Sequence, residues 1–274
     1  MTTVGSMVTV PTRDELRVHL LAHRIAGAVA TTREDNLRKY AMFVERDPYH
    51  LFGLEPERVW TMADVLKLMA ERVGVSGDAG LRHGPDHIDV ELTLDGLDRF
   101  AARLRAAGAE RHRVLCATGH PSALFAVHLD VAAALRAAGC EIVEAGAGWS
   151  YEASAQVGSK RRGIAYFGGV GVTVEGSALV HTHSARPVRA ALASLAAEDA
   201  PMPDLVVADH GWAGGAGQAG IDAIGFADSN DPALFIGEAE GLVQVAVPLD
   251  DGVAPRHYAP MTRYLLHAAG LVGK

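Results

Sequence analysis

Residues 111–146, RHRVLCATGHPSALFAVHLDVAAALRAAGCEIVEAG, decide the fold class. RHRVLCATG is a short apolar run ending in a glycine, and HPSALFAVHLDVAAALRAAG has helical spacing. CEIVEAG is a second apolar run, and Gly139 stands where a helix C-cap belongs. The stretch therefore reads as a strand–turn–helix–strand unit. PDLVVADHG, GWAGGAGQAG and IDAIGFADSND, which together span residues 203–231, repeat that order. Apolar strands alternating with helices predict an α/β fold, with a doubly wound, mainly parallel sheet covered by helices on both faces.

Around these units, RGIAYFGGVGVTVEGSALVHTHS (residues 162–184) predicts two or three short strands with Gly-rich turns, forming a hairpin. ARPVRAALASLAAE predicts a helix, DPALFIGEAEG a short helix, LVQVAVPLDDG a strand, and Tyr258–Leu271 a closing helix. Thr118-Gly119-His120 echoes Asp209-His210-Gly211, which fits either an internal duplication or the ordinary strand ends of a doubly wound sheet. Residues 12 to about 75 read as helices. Leu16, Leu20, Leu21 and Ile25 recur at helical spacing, and Trp60, Val65, Leu68 and Met69 mark a second buried face. The expected organisation is an N-terminal helical segment, 1–85, packed on a Rossmann- or flavodoxin-like core, 86–274, in one continuous domain.

Composition narrows the function. Lys+Arg 25 against Asp+Glu 33 gives a formal charge of −8, which excludes a protein that coats the phosphate backbone of nucleic acid. Apolar residues at 49% and charged ones at 21% belong to a globular chain. The longest run free of Asp, Glu, Lys and Arg, Val114–Leu129, holds a proline and two histidines and is no bilayer span. The first residues carry no basic and apolar leader, and Cys116 and Cys140 alone make neither a disulfide framework nor a zinc site. A cytoplasmic protein is expected, with neither membrane nor nucleic acid as partner and a homodimer as the default assembly.

In open parallel sheets, ligands bind beyond the carboxyl ends of the strands. That rule gathers Thr118, Gly119 and His120; Gly146 to Trp149; His181 to Ser184; Asp209 to Gly211; Asp228 to Asp231; and Asp250 with Asp251. The density of His and Asp at these turns is the main functional signal, because turn chemistry favours Asp but not His so strongly. Asp228, Asn230 and Asp231 offer oxygens to a hard divalent ion, although Asp231 before Pro232 also fits a plain helix cap. Asp209 adds a carboxylate. His181 and His183 form an H-x-H pair that fits a ligand, a substrate contact or a structural role. Ser184, with Arg186 and Arg189 in the helix after it, offers an anion site. Arg33 and Asn36 share a helix face, and Lys160 and Arg162 lie in a basic triplet; all four are candidates to hold phosphate. No Walker-type phosphate loop and no G-x-S-x-G elbow is present.

Two resemblances bear on these residues. PDLVVADHG, AGIDAIGFADSNDPALF and VAVPLDDG resemble the flavodoxin-like core of a bacterial small-subunit ribosomal protein, which implies fold only; the acidic charge argues against an RNA role. TTREDN, RDPYHLFGL, ATGHPSALFAVH, GGVGVTVEGSALVHTHSARPVRAAL and VVADHGWAGGAGQAGIDAIGFADSND resemble a family of actinobacterial phosphatases, a likeness that spans nearly the whole chain. It implies phosphomonoester hydrolysis and carries across no residue roles. The resulting expectation is metal-assisted phosphoryl transfer to water, from a small phosphorylated metabolite. Asp209, Asp228, Asn230 and Asp231 would hold Mg²⁺ or Mn²⁺. His120, His183 or His210 would serve as the acid. Arg33, Lys160 and Arg162 would clamp the phosphate, with Asn36, His181 and Ser184 beside it. Asp228 is followed by Ser229 and Asn230 rather than by the Asp-x-Asp of aspartyl-phosphate enzymes, which argues against a covalent intermediate. The alternatives are a non-catalytic binder of sugar phosphates or nucleotides, and a phosphosugar isomerase.

Overall fold

The computed structural model describes residues 9–154 and 159–271. The chain begins with α1 (Arg13–Ala22), β1 (Gly27–Thr32), α2 (Arg33–Val44), α3 (Met62–Arg72), β2 (Pro85–Ile88) and α4 (Val90–Glu110). Threonines open the first three helices. The hydroxyls of Thr12, Thr32 and Thr61 accept from the backbone N–H of Glu15, Asp35 and Asp64, caps worth about 1 kcal/mol each. The segment read as helical also holds a strand, since β1 pairs antiparallel with β2, setting Gly27 opposite Ile88 and Ala28 opposite His87. That pairing spans some fifty residues of intervening chain, and nothing in the local pattern of GAVATT announces its partner.

The core continues through β3 (Arg113–Thr118), α5 (Pro121–Ala137), β4 (Glu141–Ile142), β5 (Ser150–Ser154), β6 (Ser159–Phe167), β7 (Val170–Glu175) and β8 (Ala178–Leu179). Then come α6 (Arg186–Ala197), β9 (Leu205–Asp209), α7 (His210–Gln218), β10 (Ala223–Ala227), α8 (Pro232–Ala239), β11 (Val245–Pro248), a 3₁₀ turn and α9 (Ala259–Ala268). One sheet runs in the order β11-β10-β9-β3-β7-β6-β5, with β4 also on β3 and β8 on β7. Strands β11, β10, β9, β3 and β7 are mutually parallel, as is β4 on β3, whereas β5, β6 and β8 form an antiparallel extension. The fold is the mixed α/β sheet expected from the sequence, with the hairpin at one edge.

Helices α4, α5 and α9 with α1 cover one face; α6, α7 and α8 with α2 and α3 cover the other. Covered twice, β9, β10 and β11 are buried along their whole length, which is why they read as unbroken apolar runs. Phe100 of α4 stacks on Phe226 of β10 at 4.8 Å, and Trp212 of α7 is fully buried. Cys116 and Cys140 are free, buried thiols, and burial pushes Cys116 up to about 12. No helix among the described residues is long and apolar enough to cross a membrane. Strand β3 has β9 on one side and β4 and β7 on the other, so the sheet is wound outward from its centre. The crevice beyond β3 and β9 is where such a sheet places its ligand.

Candidate active site

Four parallel strands deliver residues to that crevice. His120 follows β3, Asp209 and His210 lie at the junction of β9 and α7, Asp228 to Asp231 follow β10, and Asp250 and Asp251 follow β11. His181 and His183 arrive by another route. Strand β8 doubles back along β7, and the Thr182 N–H donates to the Gly119 carbonyl at 2.8 Å, which draws the H-x-H segment against the end of β3. Two glycines permit this crowding. A Cβ on Gly119 would lie 2.5 Å from the Thr182 carbonyl oxygen, and one on Gly211 would lie 2.3 Å from that of His183.

Asp209 is fully buried, and five donors converge on it. Its Oδ1 accepts from Gly119 N at 2.7 Å, His120 N at 3.1 Å and His210 Nδ1 at 2.8 Å. Its Oδ2 accepts from Thr118 Oγ1 at 2.6 Å and contacts His128 Nε2 at 3.0 Å. Against the cost of burial, the His128 and His210 contacts hold this carboxyl well below the usual carboxylate range. Asp209 was expected to bind a metal. Instead both its oxygens are committed within the protein, and its position makes it the group that orients His210. His210 stands at φ +48° at the head of α7, a left-handed conformation that costs on the order of 1–3 kcal/mol for such a residue. The strain turns its Nε2 into the crevice.

Around His210 Nε2 lie His181 Nε2 at 3.3 Å and one carboxylate oxygen each of Asp231 and Asp251, both at 3.6 Å. His120 stacks parallel to His181 with ring centroids 4.4 Å apart, and its Nδ1 comes within 3.1 Å of Asp251. His183 lies 4.8 Å from His210, centroid to centroid, under the ring of Tyr49 at 4.1 Å and edge-on to Phe52. Burial opposes charge on His210, but Asp209 and the neighbouring Asp251 and Asp231 outweigh it and lift His210 to about 9. Burial likewise opposes charge on His120, and Asp251 beside it prevails and raises it. Burial and the positive His210 lower His181 to about 4 and depress His183 as well.

The acidic side is equally crowded. Asp228 accepts from Thr31 Oγ1 at 2.7 Å and Ser229 N at 2.6 Å, and burial with Asp251 and Asp250 nearby raises it well above its usual value. Burial raises Asp231 too, although Lys39 Nζ lies 3.6 Å away. Asn230 Nδ2 donates to Asp35 at 2.8 Å while its Oδ1 has no partner.

The residues expected to clamp phosphate are engaged within the protein. Arg33 is fully buried and donates to Leu81 O, Asp86 and Asp78 O at 3.0, 3.1 and 3.0 Å, so no donor face is left for a ligand. Asn36 donates to the same Asp86 at 2.8 Å and accepts from Ser229 Oγ at 3.3 Å. Lys160 and Arg162 both engage Glu175 on the antiparallel extension, at 2.7 and 3.2 Å. Ser184 follows His183, and its Oγ accepts from Arg186 N at 3.2 Å. Sequence reasoning assigned no roles to His128, Tyr49 or Asp251. Asp251 alone carried a signal, its place just past the end of β11.

The crevice suits a cation. Asp231 Oδ1, Asp251 Oδ2 and His120 Nδ1 are buried atoms with no hydrogen-bond partner, although two of them lie close together. Five buried aspartates, Asp209, Asp228, Asp231, Asp250 and Asp251, converge on the crevice, with Lys39, Arg24 and the imidazoles as nearby positive charge. The ligand atoms of His120, His181 and His210 lie within 4.8 Å of one another, as do those of His183, His210 and Asp231. Nitrogens about 2.0–2.1 Å from a tetrahedral ion stand roughly 3.3 Å apart, the spacing of the His181 and His210 Nε2 atoms.

Comparison with known proteins identifies the family. The phosphatase SCO2771 of Streptomyces coelicolor is 52% identical over 263 residues, which cover 95% of this chain and 97% of that one. A family profile described as Phosphatase matches residues 11–273, and with that match the chain belongs to the Phosphatase family.

Proposed function

We propose that the chain hydrolyses small phosphomonoesters with the help of a divalent cation held between His181, His210, Asp231 and Asp251. The observation that carries the reading is the ring of atoms around His210 Nε2, in which Oδ2 of Asp231 and the buried, unpartnered Oδ2 of Asp251 each lie 3.6 Å away. A dianionic phosphate entering a crevice of five aspartates is repelled unless positive charge accompanies it. When bound, the ion would neutralise phosphate charge and lower the pKa of water.

The protein's own residues supply the rest. Asp209, fixed by five donors, sets the tautomer and angle of His210, as carboxylates commonly do for metal-binding imidazoles. His120, part-buried beside Asp251 and stacked on His181, is placed to protonate the leaving oxygen. Lys39, 3.6 Å from Asp231, adds positive charge at the rim. Phe52 and Tyr49 pack over His183 and help shut out water. Imidazoles in the set favour Mn²⁺, Zn²⁺ or Fe²⁺ over Mg²⁺, so of the two ions expected from sequence, manganese fits better. The test is phosphate release from a panel of phosphomonoesters, with EDTA and after restoring Mg²⁺, Mn²⁺ or Zn²⁺. Release that EDTA stops and Mn²⁺ or Zn²⁺ restores supports the reading. Tight binding without turnover, or an isomer without free phosphate, contradicts it.

A further inference from the structure

A cavity of about 470 Å³ opens beside the site, between the loop after α2 and the start of α6. Its walls include Tyr49, Leu51 and Leu54 from the loop and Ser184, Arg186 and Arg189 from the helix side. It adjoins the crevice directly. Ser184 follows His183 in sequence, and Tyr49, which lines the cavity, stacks on the His183 ring at 4.1 Å. A volume of this size holds a small organic group, and its apolar loop wall suits a ring or alkyl body.

The two arginines give the cavity its charge. Arg189 Nη2 donates to the Gly53 carbonyl at 2.9 Å, and Arg186 Nη1 donates to the Glu152 carbonyl at 3.3 Å. The Arg186 guanidinium also lies over the Tyr151 ring, 4.3 Å from its centroid. Among the described residues, neither has a carboxylate at ion-pair distance, whereas arginines such as Arg13, Arg17, Arg99 and Arg113 all have one. Glu55 is the single acid in the lining. In a chain of net charge −8, two neighbouring guanidiniums held by carbonyls and a ring face keep donors for an anion from outside.

We infer that this cavity receives the alcohol part of the substrate, and that the substrate is a phosphomonoester whose alcohol carries an apolar or aromatic body and a second negative charge. The inference rests on the hydrolytic reading above. Tyr49 and the two leucines take the body, Arg186 and Arg189 take the second charge, and the phosphate lies toward His210.

The test compares kcat/KM for 4-phosphonooxybenzoate, phenyl phosphate and glycerol 3-phosphate on the metal-loaded protein, with Arg186→Gln and Arg189→Gln beside it. The expected order is the benzoate first, then phenyl phosphate, then glycerol phosphate. Each variant should shrink the benzoate-to-phenyl ratio by about tenfold, the worth of one charged hydrogen bond. The ratio between variant and parent cancels the intrinsic reactivity of the two esters. Arg186 touches only a carbonyl and a ring face, so its variant keeps the test usable if Arg189→Gln fails to fold. Equal ratios in all three proteins, with phosphate still released, overturn the pocket assignment alone. No release from any ester with any restored metal overturns the hydrolytic reading and this inference with it.

Discussion

Asp209 and His210 are neighbours in sequence whose side chains bond to each other, Oδ1 to Nδ1 at 2.8 Å. Two consecutive residues at the end of a strand normally point to opposite faces of the sheet. Here they meet because Asp209 closes β9 in an extended conformation and His210 opens α7 at φ +48°. The five contacts on Asp209 and the glycine at 211 hold that conformation in place, and it turns one imidazole nitrogen into the crevice. The strain is local, and the residue that bears it is the one around which the candidate ligands gather.

Replacing Asp209 with Asn tests the orienting role. An amide offers one oxygen where five donors need two, so His210 loses its fixed tautomer. We predict a 10–100-fold loss in metal affinity or activity, about the usual effect of removing such a partner. Metal titration followed by phosphate-release kinetics measures it. Asp231→Asn and Asp251→Asn should cost more than Asp209→Asn or Asp228→Asn, because the first two each set a carboxylate oxygen 3.6 Å from His210 Nε2.

Gly119→Ala and Gly211→Ala test the close approach of the H-x-H segment. Each new methyl meets a backbone carbonyl, at 2.5 Å and 2.3 Å, that cannot swing away as a side chain would. Each should destabilise by roughly 1–3 kcal/mol, as overpacking does. Urea denaturation with unchanged m-value reads the loss, and it should come with weaker metal binding as His181 and His183 shift.

Arg33 and Lys160 separate a buried pair from a surface one. Arg33→Ala strands the buried Asp86 and should cost about 3–5 kcal/mol. Lys160→Ala removes an exposed contact to Glu175 and should change stability by less than about 1 kcal/mol. Neither position touches the crevice, so phosphate release by the folded fraction should survive both.

The metal-free protein should lose stability as pH rises from neutrality. His210 is lifted to about 9 in the folded chain, above an unfolded value near 6.5. Its contribution is therefore complete below about pH 6.5 and fades as pH climbs through about 9, amounting to a few kcal/mol at most. Melting temperatures of the EDTA-treated protein between pH 6 and 10 should show this decline, and His210→Asn should flatten it. Metal binding must displace that proton, so apparent affinity should fall with falling pH below about 9.

Much of this was legible in the chain. The alternation of apolar strands with helices located the parallel sheet, and the carboxyl-end rule placed His120, His181, His183, His210, Asp228 and Asp231 in one crevice. The roles within it were less legible. Whether Asp209 grips a metal or a histidine depends on donors from β3, a strand ninety residues away that only the sheet order brings alongside. Arg33 read as a phosphate clamp because its spacing with Asn36 is local, while its partner Asp86 belongs to β2, far along the chain. Strand β1 was hidden for the same reason. Spacing shows which face a residue occupies, and only tertiary pairing shows what already fills its hydrogen bonds.

The most direct test of the central claim is the metal content of the purified protein, measured together with phosphate release in the same samples. The account predicts bound Mn²⁺, Zn²⁺ or Fe²⁺ in the parent protein, its loss in His210→Asn and Asp251→Asn, and release that rises and falls with occupancy. Full activity in a protein stripped of metal, or unaltered metal content in both variants, would contradict it.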